Sequence, residues 1–231
     1  MGNIRRMKQE TTMRRFAIIA LLGIALASAP VLATAATSKP ATPKVATVIC
    51  KATKAVAHTA KKVTTPTKML PKRMGTFTFV TNCGNIVIAT NGVRANVTLT
   101  ALTALSKAGY FDGSLCHRLT TSGLYVLQCG DPTATGSGPS PFTYGDENLP
   151  KAGSNNYPAG TVAMANSGAN TNGSQFFLVY KNTQLPPSYT IWGRITSGLN
   201  ILKGIAAAGV KGGITDGTPA KKIAIEKVIV K

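Results

Sequence analysis

Acidic residues, histidine and tryptophan are scarce in this chain, and these shortages exclude several kinds of function. The 231 residues include seven Asp and Glu, two His and one Trp, against 26 Lys and Arg. Two histidines and four widely spaced cysteines do not form the ligand pattern of a zinc site, so we expect no metal and no cofactor. Ser174 and His117 lack a Gly-x-Ser-x-Gly elbow, which argues against a serine hydrolase. The loop from Thr135 to Gly138 lacks the Gly-Lys-Ser/Thr ending of a phosphate-binding loop.

The positive charge is concentrated in the N-terminal third of the chain. Residues 1–75 contain fourteen Lys and Arg against one acid, whereas residues 76–231 contain twelve Lys and Arg against six acids. An excess of this kind affects solubility and attraction to anionic surfaces, and it does not determine the fold.

The N-terminus has the pattern of an export signal. Five basic residues precede the apolar run from Phe16 to Ala27, and Ala33-Thr34-Ala35 offers a small-x-small cleavage site. The alternative is an uncleaved membrane anchor, because the run from Phe16 to Ala36 is about long enough to span a bilayer. We therefore predict a signal peptide or anchor over residues 1–35. The protein would then be extracytoplasmic, either secreted or anchored to the outer face of the cytoplasmic membrane.

Residues 36–75 form a separate compositional segment, rich in Ala, Thr, Lys and Pro and poor in large apolar side chains. Such a segment cannot bury enough surface to offset its ordering entropy, so we predict a flexible basic linker. Two roles stay open, a solvated spacer or a basic arm in weak contact with an anionic envelope polymer or with nucleic acid. No aromatic residues alternate with the lysines, as stacking on nucleic-acid bases would require.

The chain contains four cysteines, at Cys50, Cys83, Cys116 and Cys129. An exported chain meets oxidising conditions in which disulfides persist, so a disulfide within the folded domain is compatible with the sequence. Four cysteines allow three complete pairings, and the sequence does not select one of them.

Residues 76–231 have the pattern of a mainly-β domain with two helices. The run from Phe77 to Thr81 alternates apolar and polar residues, and a turn at Cys83-Gly84-Asn85 leads into a second apolar run, which is typical of a hairpin. Helical patterns cover residues 97–108 and 199–208, and further strand-like runs occupy residues 116–120, 124–128, 161–165, 176–179, 190–193 and 223–230. Many short strands with two helices between them predict a closed β-barrel capped by helices.

Four motifs carry the most specific information in the domain. The longest is Met164-Ala-Asn-Ser-Gly-Ala-Asn-Thr-Asn-Gly-Ser-Gln-Phe-Phe177. The others are Cys116-His-Arg-Leu119, Tyr125-Val-Leu-Gln-Cys-Gly-Asp131 and Leu185-Pro-Pro-Ser-Tyr-Thr-Ile-Trp-Gly193. In order and spacing they resemble the signatures of the cyclophilin family of peptidyl-prolyl cis/trans isomerases, and the likeness extends over residues 77–231. The insertion at residues 120–123 and the cysteines of the domain resemble actinobacterial extracytoplasmic members in particular.

This resemblance implies a closed, antiparallel, eight-stranded barrel with two capping helices over residues 76–231. It also implies a rotamase that acts as a folding catalyst on X-Pro bonds of exported or envelope proteins. The expected partners are proline-containing segments of unfolded or exported proteins, and we expect a monomer. The implied catalytic residues are Arg118, Gln128 and Tyr125, and the implied substrate-binding residues are Val126, Ala165, Asn166, Gln175, Phe177, Leu185 and Tyr189.

Isomerisation needs neither a nucleophile nor a cofactor. It needs a group that binds the twisted amide, and the guanidinium of Arg118 suits this role. Resonance gives the peptide bond a rotation barrier of roughly 18–20 kcal/mol, and the prolyl nitrogen regains a lone pair when the bond is twisted. A guanidinium that donates to that nitrogen binds the twisted state more tightly than either planar form. The rival hypothesis is a binding module that captures proline-containing segments and for which turnover is incidental. Gln184, Tyr189 and Val126 depart from residues common in the family, which puts affinity for cyclosporin in doubt more than catalysis.

Overall fold

An antiparallel hairpin opens the domain in the computed structural model, which describes residues 47–231. Strand β1 (Met74–Thr81) and strand β2 (Gly84–Asn91) bury alternate side chains, as the sequence pattern predicts. Gly84 has a φ of +112°, a conformation that glycine adopts without the steric cost of a side chain. The predicted hairpin is therefore confirmed.

Eight more strands and two helices follow the hairpin. In chain order they are helix α1 (Asn96–Lys107), strands β3 (Ser114–Leu115), β4 (Arg118–Thr120), β5 (Val126–Cys129), β6 (Thr161–Met164), β7 (Phe176–Val179) and β8 (Ile191–Ser197), helix α2 (Leu199–Ala208), a 3₁₀ turn (Lys211–Gly213), and strands β9 (Asp216–Gly217) and β10 (Ala224–Val230). The two predicted helices are present with nearly the predicted bounds. The mainly-β prediction is also confirmed.

The sheet is a ten-stranded half-barrel, so the expected closed, eight-stranded barrel is wrong. Its strand order is β3-β10-β1-β2-β8-β6-β7-β5-β4-β9, with all neighbours antiparallel, and β3 and β9 are its edges. The reason lies where β3 continues toward β4. The backbone N–H of Cys116 donates to Ile223 O beside β10, whereas the N–H of His117 donates to Gln128 O on β5. Adjacent residues are thus bonded to opposite ends of the sheet, and in the described residues no strand pairing closes the gap.

Aromatic side chains fill the interior between the sheet and the helices. Trp192 is fully buried, with its ring edge-to-face on Phe176 at a centroid distance of 5.9 Å. Phe79 stacks on Phe176 at 5.0 Å. A second, smaller apolar cluster lies around Val126, Tyr157, Ala163, Phe177 and Val179. This second cluster forms the floor of the site described below.

Residues 47–73, the described part of the predicted linker, lie along the domain. A disulfide joins Cys50 to Cys83, the N–H of Lys51 donates to Asn82 O (2.8 Å), and Ala55 is buried. For these residues the structure differs from the expected flexible linker. The composition argument counts apolar side chains, and it omits the covalent link and the backbone hydrogen bonds that hold this segment.

The predicted signal peptide or anchor over residues 1–35 lies outside the described residues, as does the start of the linker. In residues 47–231, no helix combines the length and the apolar character needed to cross a membrane. Export therefore stays a prediction.

Candidate active site

Arg118 and Gln128 lie directly opposite each other on the antiparallel strands β4 and β5. Opposite residues of neighbouring strands project from the same face of a sheet, which brings their side chains together. Arg118 Nη1 donates a hydrogen bond to Gln128 Oε1 at 3.2 Å. A disulfide between Cys116 and Cys129 links the two segments immediately beside this pair.

A chain of amide hydrogen bonds continues from Gln128. Gln128 Nε2 donates to Gln175 Oε1 (2.9 Å), and Gln175 Nε2 donates to the backbone carbonyl of Gly136 (3.0 Å). A carbonyl only accepts and a guanidinium only donates, so the two ends of the chain fix the direction of both amides. As a result, Gln128 presents its oxygen to Arg118.

The buried carboxylate of Asp131 organises the loop that carries Gly136. It accepts hydrogen bonds from the backbone N–H groups of Thr133 (2.8 Å), Gly136 (2.8 Å) and Gly138 (3.1 Å), and from the Thr133 hydroxyl (2.7 Å). Burial by itself raises the pKa of Asp131, but the hydroxyl and backbone donors outweigh it and hold the pKa below its ordinary value. The position of the Gly136 carbonyl therefore depends on an ionised Asp131.

A hollow of about 150 Å³ lies in front of the Arg118–Gln128 pair. The residues that line it are Arg118, Leu124, Val126, Gln128, Ala165, Asn166, Phe177, Leu185 and Tyr189. The rings of Phe177 and Tyr189 meet edge-to-face at 5.5 Å. Beneath them, the Tyr157 hydroxyl donates to Tyr189 O (3.1 Å) and accepts from Tyr189 N–H (3.0 Å). The hollow is thus lined by apolar side chains together with Arg118, Gln128 and Asn166, and Tyr157 supports Tyr189.

Most of the residues predicted from the sequence meet at this hollow. Eight of the ten line it: Arg118, Gln128, Val126, Ala165, Asn166, Phe177, Leu185 and Tyr189. Gln175 lies beside the hollow and contacts Gln128, as a support for the pair.

Tyr125 does not line the hollow, and this corrects the prediction that placed it in the site. Its ring packs edge-to-face on Tyr180 at 6.0 Å, and Lys181 Nζ lies 4.2 Å from its centroid. Successive strand residues point to opposite faces, so Val126 and Gln128 face the hollow while Tyr125 faces away. Leu124 takes the place expected of Tyr125. Counting back from Gln128 in steps of two gives Val126 and then Leu124, so this alternation would have identified Leu124 as a residue that faces the hollow.

Asp216 is a second residue of the site that the sequence reasoning missed. Arg118 Nε donates to its Oδ1 and Arg118 Nη2 to its Oδ2, both at 2.7 Å. The hydrogen bond to Asp216 raises the pKa of Arg118, and the same bond lowers the pKa of Asp216. Because Asp216 is 98 residues from Arg118 in the chain, no local pattern connects them.

His117 does not line the hollow. Its side chain is 8% exposed, and neither ring nitrogen has a hydrogen-bond partner within residues 47–231. Burial lowers the pKa of His117, so the neutral imidazole is favoured. Nothing in its position suits it to transfer a proton at the hollow.

The mainly-β half-barrel carries an arginine beside a hollow lined in part by apolar side chains, and none of the residues that line this hollow is a Ser, Thr or Cys. The sequence profile of the family described as "Cyclophilin type peptidyl-prolyl cis-trans isomerase/CLD" matches residues 76–230. The chain belongs to this family.

Relatives and solved structures agree with this membership. The chain is 45% identical over 162 residues to "Probable peptidyl-prolyl cis-trans isomerase B" of Mycobacterium tuberculosis, an alignment that covers 65% of this chain and 53% of the relative. Identity to the protein of the same name in Mycobacterium leprae is 46% over 159 residues, covering 64% and 54%. The chain thus spans about half the length of these curated relatives. A crystal structure of a Cryptosporidium parvum cyclophilin-type isomerase superposes with a TM-score of 0.60 at 25% identity, covering 69% of this chain and 98% of that one.

Proposed function

We propose that this chain is a peptidyl-prolyl cis/trans isomerase that acts as a folding catalyst on exported or envelope proteins. The observation that carries the proposal is that Arg118 lines the hollow beside a group of apolar side chains. Membership of the isomerase family supports it.

The proposed mechanism is tighter binding of the twisted amide than of either planar form. The hollow takes the proline ring, and Arg118 donates a hydrogen bond to the prolyl nitrogen as that nitrogen loses its conjugation. A donor that is already oriented stabilises the developing lone pair without reorganisation during the reaction. Each 1.4 kcal/mol of such stabilisation corresponds to about a tenfold increase in rate.

The expected substrates are proline-containing segments of unfolded chains. Leu124, Val126, Phe177 and Leu185 give the hollow an apolar lining suited to a pyrrolidine ring. The same Cryptosporidium parvum isomerase was also crystallised in the presence of the dipeptide Ala-Pro, and that structure has a TM-score of 0.54 to this chain at 23% identity. Its peptide is consistent with the substrate class proposed here.

An extracytoplasmic location is the second part of the proposal. The basic and apolar pattern of residues 1–35 favours export. Two disulfides and no free cysteine within residues 47–231 suit an oxidising compartment. Fractionation of the native host, followed by the intact mass of the protein, tests this part. An uncleaved chain found only in the cytoplasm would contradict it.

Replacing Arg118 tests the catalytic part. In a protease-coupled assay of the full chain on a proline tetrapeptide, we expect Arg118→Ala to lower kcat/KM at least about tenfold, roughly 1.4 kcal/mol in the barrier. Arg94, an exposed arginine in the turn before α1, provides the matched control, and Arg94→Ala should retain the parent rate. Equal rates for Arg118→Ala and the parent would remove Arg118 from the mechanism.

The same assay separates catalysis from mere capture of proline segments. A binding module would show tight association with the tetrapeptide and no acceleration of isomerisation by the parent. A catalyst accelerates isomerisation at substoichiometric concentration.

A further inference from the structure

The described residues contain one salt bridge, and it joins Arg118 to Asp216. Residues 47–231 hold nineteen Lys and Arg against six acids, so most basic side chains have no acid available. The other acids accept hydrogen bonds from backbone or side-chain groups. Asp131 organises its loop, and Glu147 accepts from the backbone N–H of Thr98 in the first turn of α1. A scarce carboxylate is therefore placed on the proposed catalytic arginine.

The backbone holds Asp216 in this place. Strand β9 pairs with β4, so that Gly217 lies opposite Leu119 and Asp216 opposite Thr120. The N–H of Thr121 donates to Thr215 O at 2.8 Å, which extends the pairing beyond the strand. The carboxylate therefore approaches Arg118 from the strand next to its own, on the side away from Gln128.

The number of N–H groups on Arg118 shows what this arrangement leaves for a substrate. A guanidinium has five N–H donors in one plane. Asp216 accepts two of them and Gln128 accepts one, so two remain. Partners on two edges of a planar group fix the orientation of that plane, and a bidentate carboxylate does so more strictly than a single acceptor.

We infer that Asp216 is a positioning residue, whose carboxylate holds the guanidinium plane of Arg118 so that the two remaining N–H groups face the hollow. The inference rests on the proposed isomerase function. Positioning of this kind acts on the rate, because a donor held in place costs no ordering during the reaction. It contributes little to folding, because the side chains of Arg118 and Asp216 are 40% and 52% exposed and an exposed ion pair is weakly stabilising.

Three substitutions of Asp216 test the inference in the full chain. In Asp216→Asn one oxygen can still accept but the bidentate pair is lost, and we expect kcat for a proline tetrapeptide to fall roughly three- to tenfold with KM within about twofold. In Asp216→Ala, kcat should fall at least as far. Asp216→Glu should recover part of the loss, because it returns a carboxylate. Glu226→Gln is the matched control, since it removes one exposed negative charge on β10 and should leave kcat unchanged.

A second measurement follows the guanidinium itself. In a proton–nitrogen correlation spectrum, the Arg118 Nε–H signal, assigned by its absence in Arg118→Lys, should shift and exchange faster with water in Asp216→Asn. It should stay in place in Glu226→Gln.

These two readouts separate the inference from the function on which it rests. An unshifted Nε–H signal in Asp216→Asn overturns the positioning role, and so does a kcat that is unchanged or raised. If the parent is inactive while the Nε–H signal still responds, the proposed function fails, and the pair stands as a structural contact without a catalytic part.

Discussion

The direction of the amide chain from Gly136 to Arg118 can be tested with two substitutions at Gln175. Gln175→Leu removes both of its hydrogen bonds. Gln175→Glu keeps an oxygen that can accept from Gln128 Nε2, and it replaces the donor to the Gly136 carbonyl with a carboxylate oxygen that cannot bond to that carbonyl. The two variants therefore separate the link toward Arg118 from the link toward the loop.

The structure gives the expected size of each effect. Without Gln175 Oε1, the Gln128 amide is free to turn over and offer its nitrogen to Arg118, which then loses an acceptor. A hydrogen bond to a charged group contributes about 1.5–3 kcal/mol. Because Gln128 retains its oxygen toward Arg118 part of the time, we expect a loss of about 1–2 kcal/mol, or roughly five- to thirtyfold in kcat/KM. In Gln175→Glu the exposed Gly136 carbonyl can bond to water, so the loss should stay within about threefold.

The protease-coupled assay on the full chain measures both variants against the parent. Thermal unfolding should show similar stability for the two, so that the rates can be compared directly. If Gln175→Glu is as slow as Gln175→Leu, the bond to the loop matters more than the direction of the Gln128 amide. If Gln175→Leu is as fast as the parent, the amide chain has no part in orienting Arg118.

Two further predictions concern the wall of the hollow and the loop beside it. Leu124→Ala should weaken substrate binding and raise KM several-fold because it lines the hollow, whereas Tyr125→Phe should leave KM unchanged; the reverse pattern in steady-state kinetics would restore the original prediction for Tyr125. Asp131 has a pKa below its ordinary value in the folded chain, so its stabilising effect is complete above the pKa of the unfolded chain and is lost as pH falls through the folded pKa. Denaturant unfolding between about pH 2 and 6 should show this loss, and Asp131→Asn should be less stable at neutral pH and should lack this part of the pH dependence.

The parts of the fold that the sequence predicts are those with a local period. The β1–β2 hairpin, both helices and the hollow-facing positions of β5 all follow from alternation or helical spacing. The motif resemblance located Arg118. It also placed Tyr125 in the site, whereas the two-residue period of the strand favours Leu124 as the residue that faces the hollow. Strand periodicity is thus the better guide to which side chains face the hollow.

The parts that the sequence does not predict depend on contacts between distant segments. Strand β9 has two residues and follows a glycine-rich turn, which gives no periodic signal. The half-barrel likewise arises from hydrogen bonds at Cys116 and His117 that diverge to opposite ends of the sheet. Residues 47–73 are held by a disulfide to Cys83, and composition alone cannot reveal such a link.

The open half-barrel gives a physical reason for the disulfide and the ion pair that hold the surroundings of Arg118. Strand β4 has three residues and is covered on its outer side only by the two-residue edge strand β9. A short strand near a sheet edge has few hydrogen bonds to hold it, so its local opening is easier than that of a central strand. The Cys116–Cys129 disulfide fastens one end of β4 to β5, and the bidentate Asp216 contact fastens its arginine to β9. These two links restrain Arg118 from both sides. In a closed barrel, longer hydrogen-bonded strands would provide that restraint.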